Sequence, residues 1–275
     1  EISLRDQQVW IQAASTLFKC STLPVDTFPL MKEASAPVQF SVERVLFIQL
    51  LQATAFAISQ QDARTFLNGL LIELDGSTLR AVAADGHRMA LKVEKHAQQL
   101  PLTRFVLPRK SVYELLRLLT SIEDPSIHVC LDPQVLRVQS AQYTFSSKLM
   151  DTPHFPYQQA IPLHASTRVS LDRDSLKRAL MRVLIIMSDK NRPTVMEVGS
   201  EGVTFLAQNQ EQEQVVEQVK ASVEGEMIRI GVNPHYVLDV LAIFQEGPVR
   251  LSFSAPDKGI LIDALQDKSY QYILM

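Results

Sequence analysis

The chain has little of several features that mark particular protein classes. It contains two cysteines in 275 residues, too few for a disulfide-dense secreted scaffold. No apolar run is long enough to span a bilayer, because the best candidate, residues 179–187, is short and contains Arg182. The N-terminus shows no charged-then-apolar leader. These absences predict a globular protein of the reducing cytoplasm.

An excess of positive charge is also absent. The formal net charge is −3, so bulk positive charge does not hold this chain on nucleic acid. Hydrophobic residues make up 46% of the chain and charged residues 21%, which is typical of a globular protein with buried cores. We expect one to three domains from this length. The thiols of Cys20 and Cys130, on strand-like segments, are expected to be buried and unpaired.

The chain lacks the usual catalytic and metal-binding patterns. Its six histidines are scattered, with no pair at helical i, i+4 spacing. It has no glycine-rich phosphate loop and no nucleophile elbow. Asp85 and His87 flank a glycine in a predicted turn, so their side chains are expected to diverge. The sequence therefore predicts a non-catalytic scaffold or binding protein without a metal or cofactor.

A long internal repeat is what the chain does contain. Five residues recur 125 positions later: Val112, Glu114, Phe145, Leu149 and Met150 return as Val237, Asp239, Tyr270, Leu274 and Met275. A second register of 127 positions carries Ile11, Gln12, Ala14, Phe18 and Phe28-Pro29 to Val138, Gln139, Ala141, Phe145 and Phe155-Pro156. A period of this length is a domain. We expect two whole copies and the last strands of a third, arranged as a ring or an arc.

Each copy is predicted to be α+β, with two helices packed on antiparallel sheets that join edge to edge between copies. Asp-Gly pairs at Asp75-Gly76 and Asp85-Gly86 predict two tight hairpin turns. In the first copy we expect helices at 41–60 and 108–119 and strands at 69–74, 78–84, 87–93, 126–131, 135–140 and 143–150. In the second we expect helices at 172–187 and 234–244 and strands at 194–198, 203–207, 213–221, 226–230, 249–254, 260–264 and 270–275.

Two of the predicted helices place basic residues opposite their apolar stripe. Val112, Leu115, Leu116 and Leu119 form one stripe, and Lys110, Tyr113 and Arg117 lie across from it. Leu176, Ala179, Leu180 and Val183 form another, opposite Lys177, Arg178 and Arg182. A solvated surface explains one such face on its own. Repetition of the pattern favours the alternative, a basic lining that faces phosphates.

Four motifs in this order resemble the bacterial DNA polymerase III beta subunit, the sliding clamp. They are residues 61–69 (QDARTFLNG), 84–90 (ADGHRMA), 107–110 (LPRK) and 147–149 (SKL). The resemblance implies three copies of one domain per protomer and a two-protomer ring around duplex DNA. It implies tandem DNA-clamp domains in part of a pseudo-sixfold ring: the end of domain 1 at 1–37, domain 2 at 38–157 and domain 3 at 158–275.

The resemblance also implies a hydrophobic pocket between domains 2 and 3 that binds short peptides of partner proteins. These partners would be the polymerase alpha subunit, the clamp loader, other polymerases and repair proteins. The matching residues are Leu67, Ala84, Gly86, His87, Arg88, Met89, Pro156, Gln159, Ala160, Ile273, Leu274 and Met275. Gln159 replaces a common arginine and Ala84 a common threonine, and the chain stops at Met275 where relatives continue with a short tail.

The same resemblance assigns surfaces for DNA and for assembly. The DNA-facing residues would be Gln61, Arg64, Phe66, Arg109, Lys110, Arg117, Lys177, Arg178 and Arg182, and Ile185 and Ile186 would lie at the dimer joint. Without the first-domain side of that joint, this chain is expected to be a monomer or an open associate. Its strands 2–4 and 9–13 are expected to be poorly protected or held only by contacts with the second domain. The alternative is a nucleic-acid-processing enzyme that reuses the domain.

Overall fold

The computed structural model describes residues 1–28, 38–162, 164–187, 193–245, 247–254 and 258–275. The chain divides into two compact units, Glu1–Ser35 and Ala36–Met275. None of the helices in the described ranges combines the length and the apolar character needed to cross a membrane.

The first unit contains a small antiparallel sheet. Its strands are β1 (Ile2–Arg5), β2 (Gln8–Ala13) and β3 (Thr16–Ser21), paired in that order. The two predicted strands are confirmed, and β3 follows them. No described residue of this unit is buried. The expected burial of Cys20 on β3 is therefore wrong, because neither face of the sheet is covered within this unit.

The described part of the second unit contains four α-helices. They are α1 (Arg44–Ala55), α2 (Arg109–Thr120), α3 (Arg173–Ile186) and α4 (Pro234–Ile243). Asp172 begins α3 by accepting a hydrogen bond from the Ser175 amide at 2.8 Å, and Asn233 begins α4 by accepting one from the His235 amide. All four predicted helices are confirmed, with α1 shorter than expected. α4 begins 125 positions after α2, as the repeat requires.

The strands of the first copy form a four-stranded sheet, β4-β7-β8-β9, and one long hairpin, β5-β6. Their bounds are β4 (Val38–Glu43), β5 (Gly69–Ala84), β6 (Arg88–Pro108), β7 (Ser126–Leu131), β8 (Val135–Gln139) and β9 (Thr144–Lys148). β4 occupies the predicted start of the first helix because Phe40 and Val42 alternate into the core. Cys130 on β7 is half-buried and, like Cys20, is a free thiol.

The second copy contains a four-stranded sheet in the order β13-β12-β11-β15. All the strands described for this copy are β10 (Thr167–Asp172), β11 (Thr194–Gly199), β12 (Gly202–Gln208), β13 (Gln214–Lys220), β14 (Ser222–Glu224), β15 (Ile228–Val232), β16 (Pro248–Phe253), β17 (Ile260–Ala264) and β18 (Asp267–Leu274). β10 and β14 were not predicted. The other strands agree with the sequence expectations to within a few residues.

One sheet of seven strands crosses from the second copy into the first. Its order is β14-β10-β16-β17-β18-β6-β5. β18 pairs antiparallel with β6, from Tyr270 opposite Lys92 to Leu274 opposite Arg88. The prediction that sheets join edge to edge between copies is therefore confirmed.

The predicted hairpin turn at Asp75-Gly76 is wrong. β5 continues through this point, and its register with β6 shifts on both sides of Gly76, whose φ is 57°. The Asp-Gly pair therefore forms an irregularity within the strand, because β6 continues far enough to pair with both halves of β5. The turn at Asp85-Gly86 is confirmed: Gly86 has φ 89°, and the Asp85 amide donates to the Arg88 carbonyl at 3.2 Å.

The register shift exchanges the two faces of β5. Before it, Ile72 and Leu74 face the large core beneath the helices, whereas after it Leu79 and Ala81 do so. The opposite face carries a second apolar cluster. We call it the cleft cluster because it contains four of the predicted pocket residues, Leu67, Ala84, Met89 and Ile273. Its buried members are Leu67, Leu71, Val82, Ala84, Met89, Leu91, Val106, Tyr157 and Ile273.

Candidate partner cleft and candidate DNA-facing helices

A cleft of about 480 Å³ lies where the end of β18 approaches the short 3-10 helix Tyr157–Ala160. Five predicted pocket residues line it: Gln159, Ala160, Ile273, Leu274 and Met275. The remaining lining residues, which the sequence did not indicate, are Ile230, Gly231, Lys258, Gly259 and Ile260. They come from β15 and the start of β17, so no local motif marks them. Only the tertiary fold brings them beside the linker between the two copies, which contains the 3-10 helix Tyr157–Ala160.

The cleft cluster brings several of the predicted pocket residues together. Leu67, Ala84, Met89 and Ile273 are all buried members of it. The Met89 side chain is fully buried and is not one of the residues that line the cleft, so it supports the surface of the cleft from beneath. Pro156 is exposed and precedes the 3-10 helix.

The hairpin turn between β5 and β6 joins the end of β18. The Met275 amide donates to the His87 carbonyl at 2.8 Å. The exposed His87 ring stacks on Tyr236 of α4, with centroids 6.2 Å apart. Gly86 approaches Arg64 so closely that an added Cβ would lie 2.3 Å from a guanidinium nitrogen. The turn residues thus contact both copies.

Arg88 is buried at this junction, and its partners are all protein groups. Its guanidinium donates to the Asp85 carboxylate at 2.9 Å, to the Phe56 carbonyl at 3.0 Å, and to the Asp239 carboxylate on α4. It also lies 4.5 Å from the Tyr236 ring centroid. Arg88 therefore links the hairpin turn to α1 and α4, rather than solvating the rim of the cleft.

Six of the seven predicted DNA-facing cations fall into two groups. Three are exposed but paired: Arg64 with Asp62, Arg117 with Glu114, and Arg182 with Glu217, at 2.9, 2.5 and 2.7 Å. The hydrogen bond from Arg64 lowers the pKa of the Asp62 carboxyl to about 2. Lys110, Lys177 and Arg178 form no ion pair with any residue in the described ranges. Exposed pairs of this kind contribute little to stability because water and salt screen them, so a phosphate can compete for the paired cations.

Two predicted DNA-facing residues have other contacts. Arg109 donates to the Ile58 carbonyl at 2.6 Å and lies over the Tyr113 ring. Phe66 stacks on Phe155 with centroids 5.9 Å apart and packs against the cleft cluster. The structure therefore places Phe66 with the cleft. Gln61 is exposed in the segment between α1 and β5.

An exposed apolar pair lies on α3. Ile185 is 80% exposed and Met181, one turn earlier, is 55% exposed. Ile186 is half-buried. Single exposed apolar residues are common on protein surfaces, but two on one face of a helix are a candidate contact surface.

Comparisons with known proteins agree with this arrangement. Residues 41–157 match the family model of the DNA polymerase III beta subunit, central domain, and residues 158–275 match that of its C-terminal domain. A relative called beta sliding clamp, from Vibrio cholerae, is 33% identical over 274 residues, which cover 100% of this chain and 75% of the relative.

Two solved structures have the same fold. The DNA polymerase III subunit beta from Pseudomonas aeruginosa has a TM-score of 0.93 and 32% identity, with 100% of this chain and 76% of that one covered. The beta sliding clamp of C. crescentus, solved with PEG bound to its suggested beta-motif tethering region, has a TM-score of 0.93 and 30% identity. The match covers 100% of this chain and 75% of the C. crescentus chain.

Proposed function

Because the chain belongs to the DNA polymerase III beta-subunit family of sliding clamps, we propose that its helices face duplex DNA while its cleft captures short peptides of partner proteins. As a clamp it is a processivity factor of DNA replication: it encircles DNA and tethers the polymerase. Such a protein needs no catalytic group of its own. We place its action in the cytoplasm, where a bacterial chromosome is replicated.

Weak, sequence-independent contacts suit this role. A clamp that bound phosphates tightly could not slide, and a net charge of −3 limits nonspecific attraction. The exposed cations of α2 and α3 can contact the DNA backbone without reading base edges. Lys110, Lys177 and Arg178 are the first candidates, since they form no ion pair within the described ranges.

The cleft beside β18 is the observation that supports peptide binding. Its apolar walls, Ile230, Ile260 and Ile273, suit the leucine and phenylalanine anchors of a short extended peptide. The PEG in the C. crescentus clamp is described as bound to a beta-motif tethering region of that protein. We propose that the polymerase alpha subunit, the clamp loader, other polymerases and repair proteins reach the same cleft through clamp-binding peptides.

Titration with a fluorescent peptide that carries a Gln-x-x-Leu-Phe motif tests this proposal. We expect micromolar affinity, on the order of 1–10 μM, because a few anchors carry a short flexible ligand. The matched control is the same peptide with its Leu-Phe pair replaced by Ala-Ala, which should not bind. Equal binding of both peptides would contradict an anchor-lined cleft.

Self-association through α3 completes the proposal. The exposed faces of Met181 and Ile185 offer an apolar contact. If the surface that α3 contacts lies on a second copy of the same protein, the homodimer would close a ring.

A further inference from the structure

A buried carboxylate lies on the cleft face of β5. Glu73 is 2% exposed, and a charge so deep in the protein is costly unless it is paired and hydrogen-bonded. Arg80 donates to its Oε1 at 2.7 Å and Arg104 donates to its Oε2 at 2.5 Å. Burial alone would raise the pKa of this carboxyl, but the hydrogen bonds from Arg104 and Arg80 outweigh it and hold the pKa below its usual range.

The third partner of this carboxylate comes from the linker between the copies. The Tyr157 hydroxyl donates to Glu73 Oε1 at 3.1 Å, and both groups are buried. Burial first, and then the neighbouring carboxylate, raise the pKa of this hydroxyl. It therefore stays a protonated donor over the working range of pH.

Side-chain packing, not backbone pairing, attaches this part of the linker to the rest of the protein. Between 155 and 161 the backbone amides of Tyr157, Gln159 and Ile161 bond only to carbonyls two or three residues before them. These bonds form the 3-10 turn but do not attach it to a sheet. The attachment comes from side chains. The Tyr157 ring lies in the cleft cluster, and Phe155, Ala160 and Ile161 pack against that cluster. The Tyr157 hydroxyl on Glu73 is the one hydrogen bond among the attachments described for residues 155–161.

The same short turn carries one wall of the cleft. Gln159 and Ala160 follow Tyr157 directly in the 3-10 helix and line the cleft opposite the end of β18. The β18 wall is fixed separately, by its pairing with β6. The distance between the two walls therefore depends on where Tyr157 is held.

We propose that Glu73, held between Arg80 and Arg104, is a positioning residue of the partner cleft: it binds the Tyr157 hydroxyl and thereby fixes the wall formed by Gln159 and Ala160. This inference rests on the proposed peptide-binding function. Glu73 and its two arginines do not themselves line the cleft.

Peptide affinity and association rate, measured for the whole chain, test the role of Tyr157. Tyr157→Phe keeps the buried ring and removes only the hydroxyl. Because the binding-competent wall position is then populated for less of the time, we expect about fivefold weaker binding, mainly through slower association. Tyr143→Phe, at an exposed tyrosine, is the matched control and should bind as the unmodified chain does.

A double-variant cycle separates positioning from general stability. Glu73→Gln keeps an oxygen that can accept from Tyr157 but weakens both arginine bonds. We expect its effect on affinity to be smaller than that of Tyr157→Phe, and the double variant to bind no more weakly than Tyr157→Phe alone. A purely structural role would lower the unfolding midpoint in urea and leave affinity unchanged.

The outcomes distinguish the two proposals. If the unmodified chain binds the peptide and Tyr157→Phe binds it equally well, the positioning role is overturned and the peptide cleft stands. If the unmodified chain does not bind the peptide, the proposed cleft itself is overturned, and the positioning role with it. Additive losses from the two substitutions would also overturn the role, because they would show that the two groups act independently.

Discussion

Glu73 and Arg80 lie seven residues apart on β5 and yet on the same face, joined at 2.7 Å. In a regular strand, residues an odd number apart point to opposite faces. The register shift at Gly76 exchanges the faces between them. The Asp-Gly pair that signals a hairpin in the sequence thus brings Arg80 to the buried Glu73 carboxylate in the fold.

Met89 supports the cleft from beneath. Met89→Ala should lower the free energy of unfolding by about 2–4 kcal/mol, because it leaves a cavity in the cleft cluster. It should also weaken peptide binding by about 1–3 kcal/mol, since the surface that receives the leucine anchor loses its packing. Calorimetry measures the affinity and urea unfolding the stability. Met181→Ala, at an exposed methionine, is the control; unchanged peptide affinity in Met89→Ala would mean the cleft lies elsewhere.

Arg88 is expected to act through the junction of the two copies. Arg88→Ala should cost about 2–4 kcal/mol of unfolding free energy, because it leaves the Phe56 carbonyl and one oxygen of the Asp85 carboxylate without their arginine donor. Urea unfolding measures this loss. Arg168→Ala, at an exposed arginine on β10, should cost little. An Arg88→Ala chain as stable as the unmodified one would show that the network is energetically neutral.

Glu73 gives the stability of this protein a specific dependence on pH. Its folded-state pKa lies below the ordinary value of 4.5. Its contribution is therefore fully present above that value and is lost as the pH falls through the lower, folded-state pKa. The stability difference between the unmodified chain and Glu73→Gln should thus be large near pH 7 and shrink on acidification below about pH 4.5. A difference that stays constant down to pH 3 in urea unfolding at several pH values would argue against a titrating Glu73.

Lys177 and Arg178 are expected to contact DNA phosphates. Replacing both by alanine should weaken duplex binding equally for any sequence and reduce the slope of log affinity against log salt by about 1.8, since each phosphate contact contributes about 0.9. Fluorescence anisotropy over a salt series measures this slope. The control removes the same charge on the sheet side, with Arg168→Ala and Lys268→Ala. If both pairs change the slope alike, the helix faces have no special role.

Ile185 is expected to mediate self-association. A charge on this exposed side chain would be buried without a partner in any contact through α3, so Ile185→Asp should shift the protein toward the monomer in sedimentation velocity. Met227→Asp, at another highly exposed apolar residue, should not. If the unmodified chain associates and Ile185→Asp associates to the same extent, α3 is not the contact.

The sequence by itself determined the repeat, the four helices, most strands and the family. Hydrophobic periodicity and capping residues such as Asp172 and Asn233 act over a few residues, so they can be read locally. The motif around Asp85, Gly86 and His87 likewise predicted both a turn and a pocket, and the turn is confirmed.

The tertiary structure alone decided how these parts meet. Whether Asp75-Gly76 ends a strand or only disturbs it depends on the length of the partner strand β6, which no local signal specifies. The same holds for Arg88, whose partner Asp239 lies 151 residues away, and for Glu73 and Tyr157, which lie 84 residues apart. Burial forces these charges and hydroxyls to find partners, and only the packed fold determines which partners lie within reach.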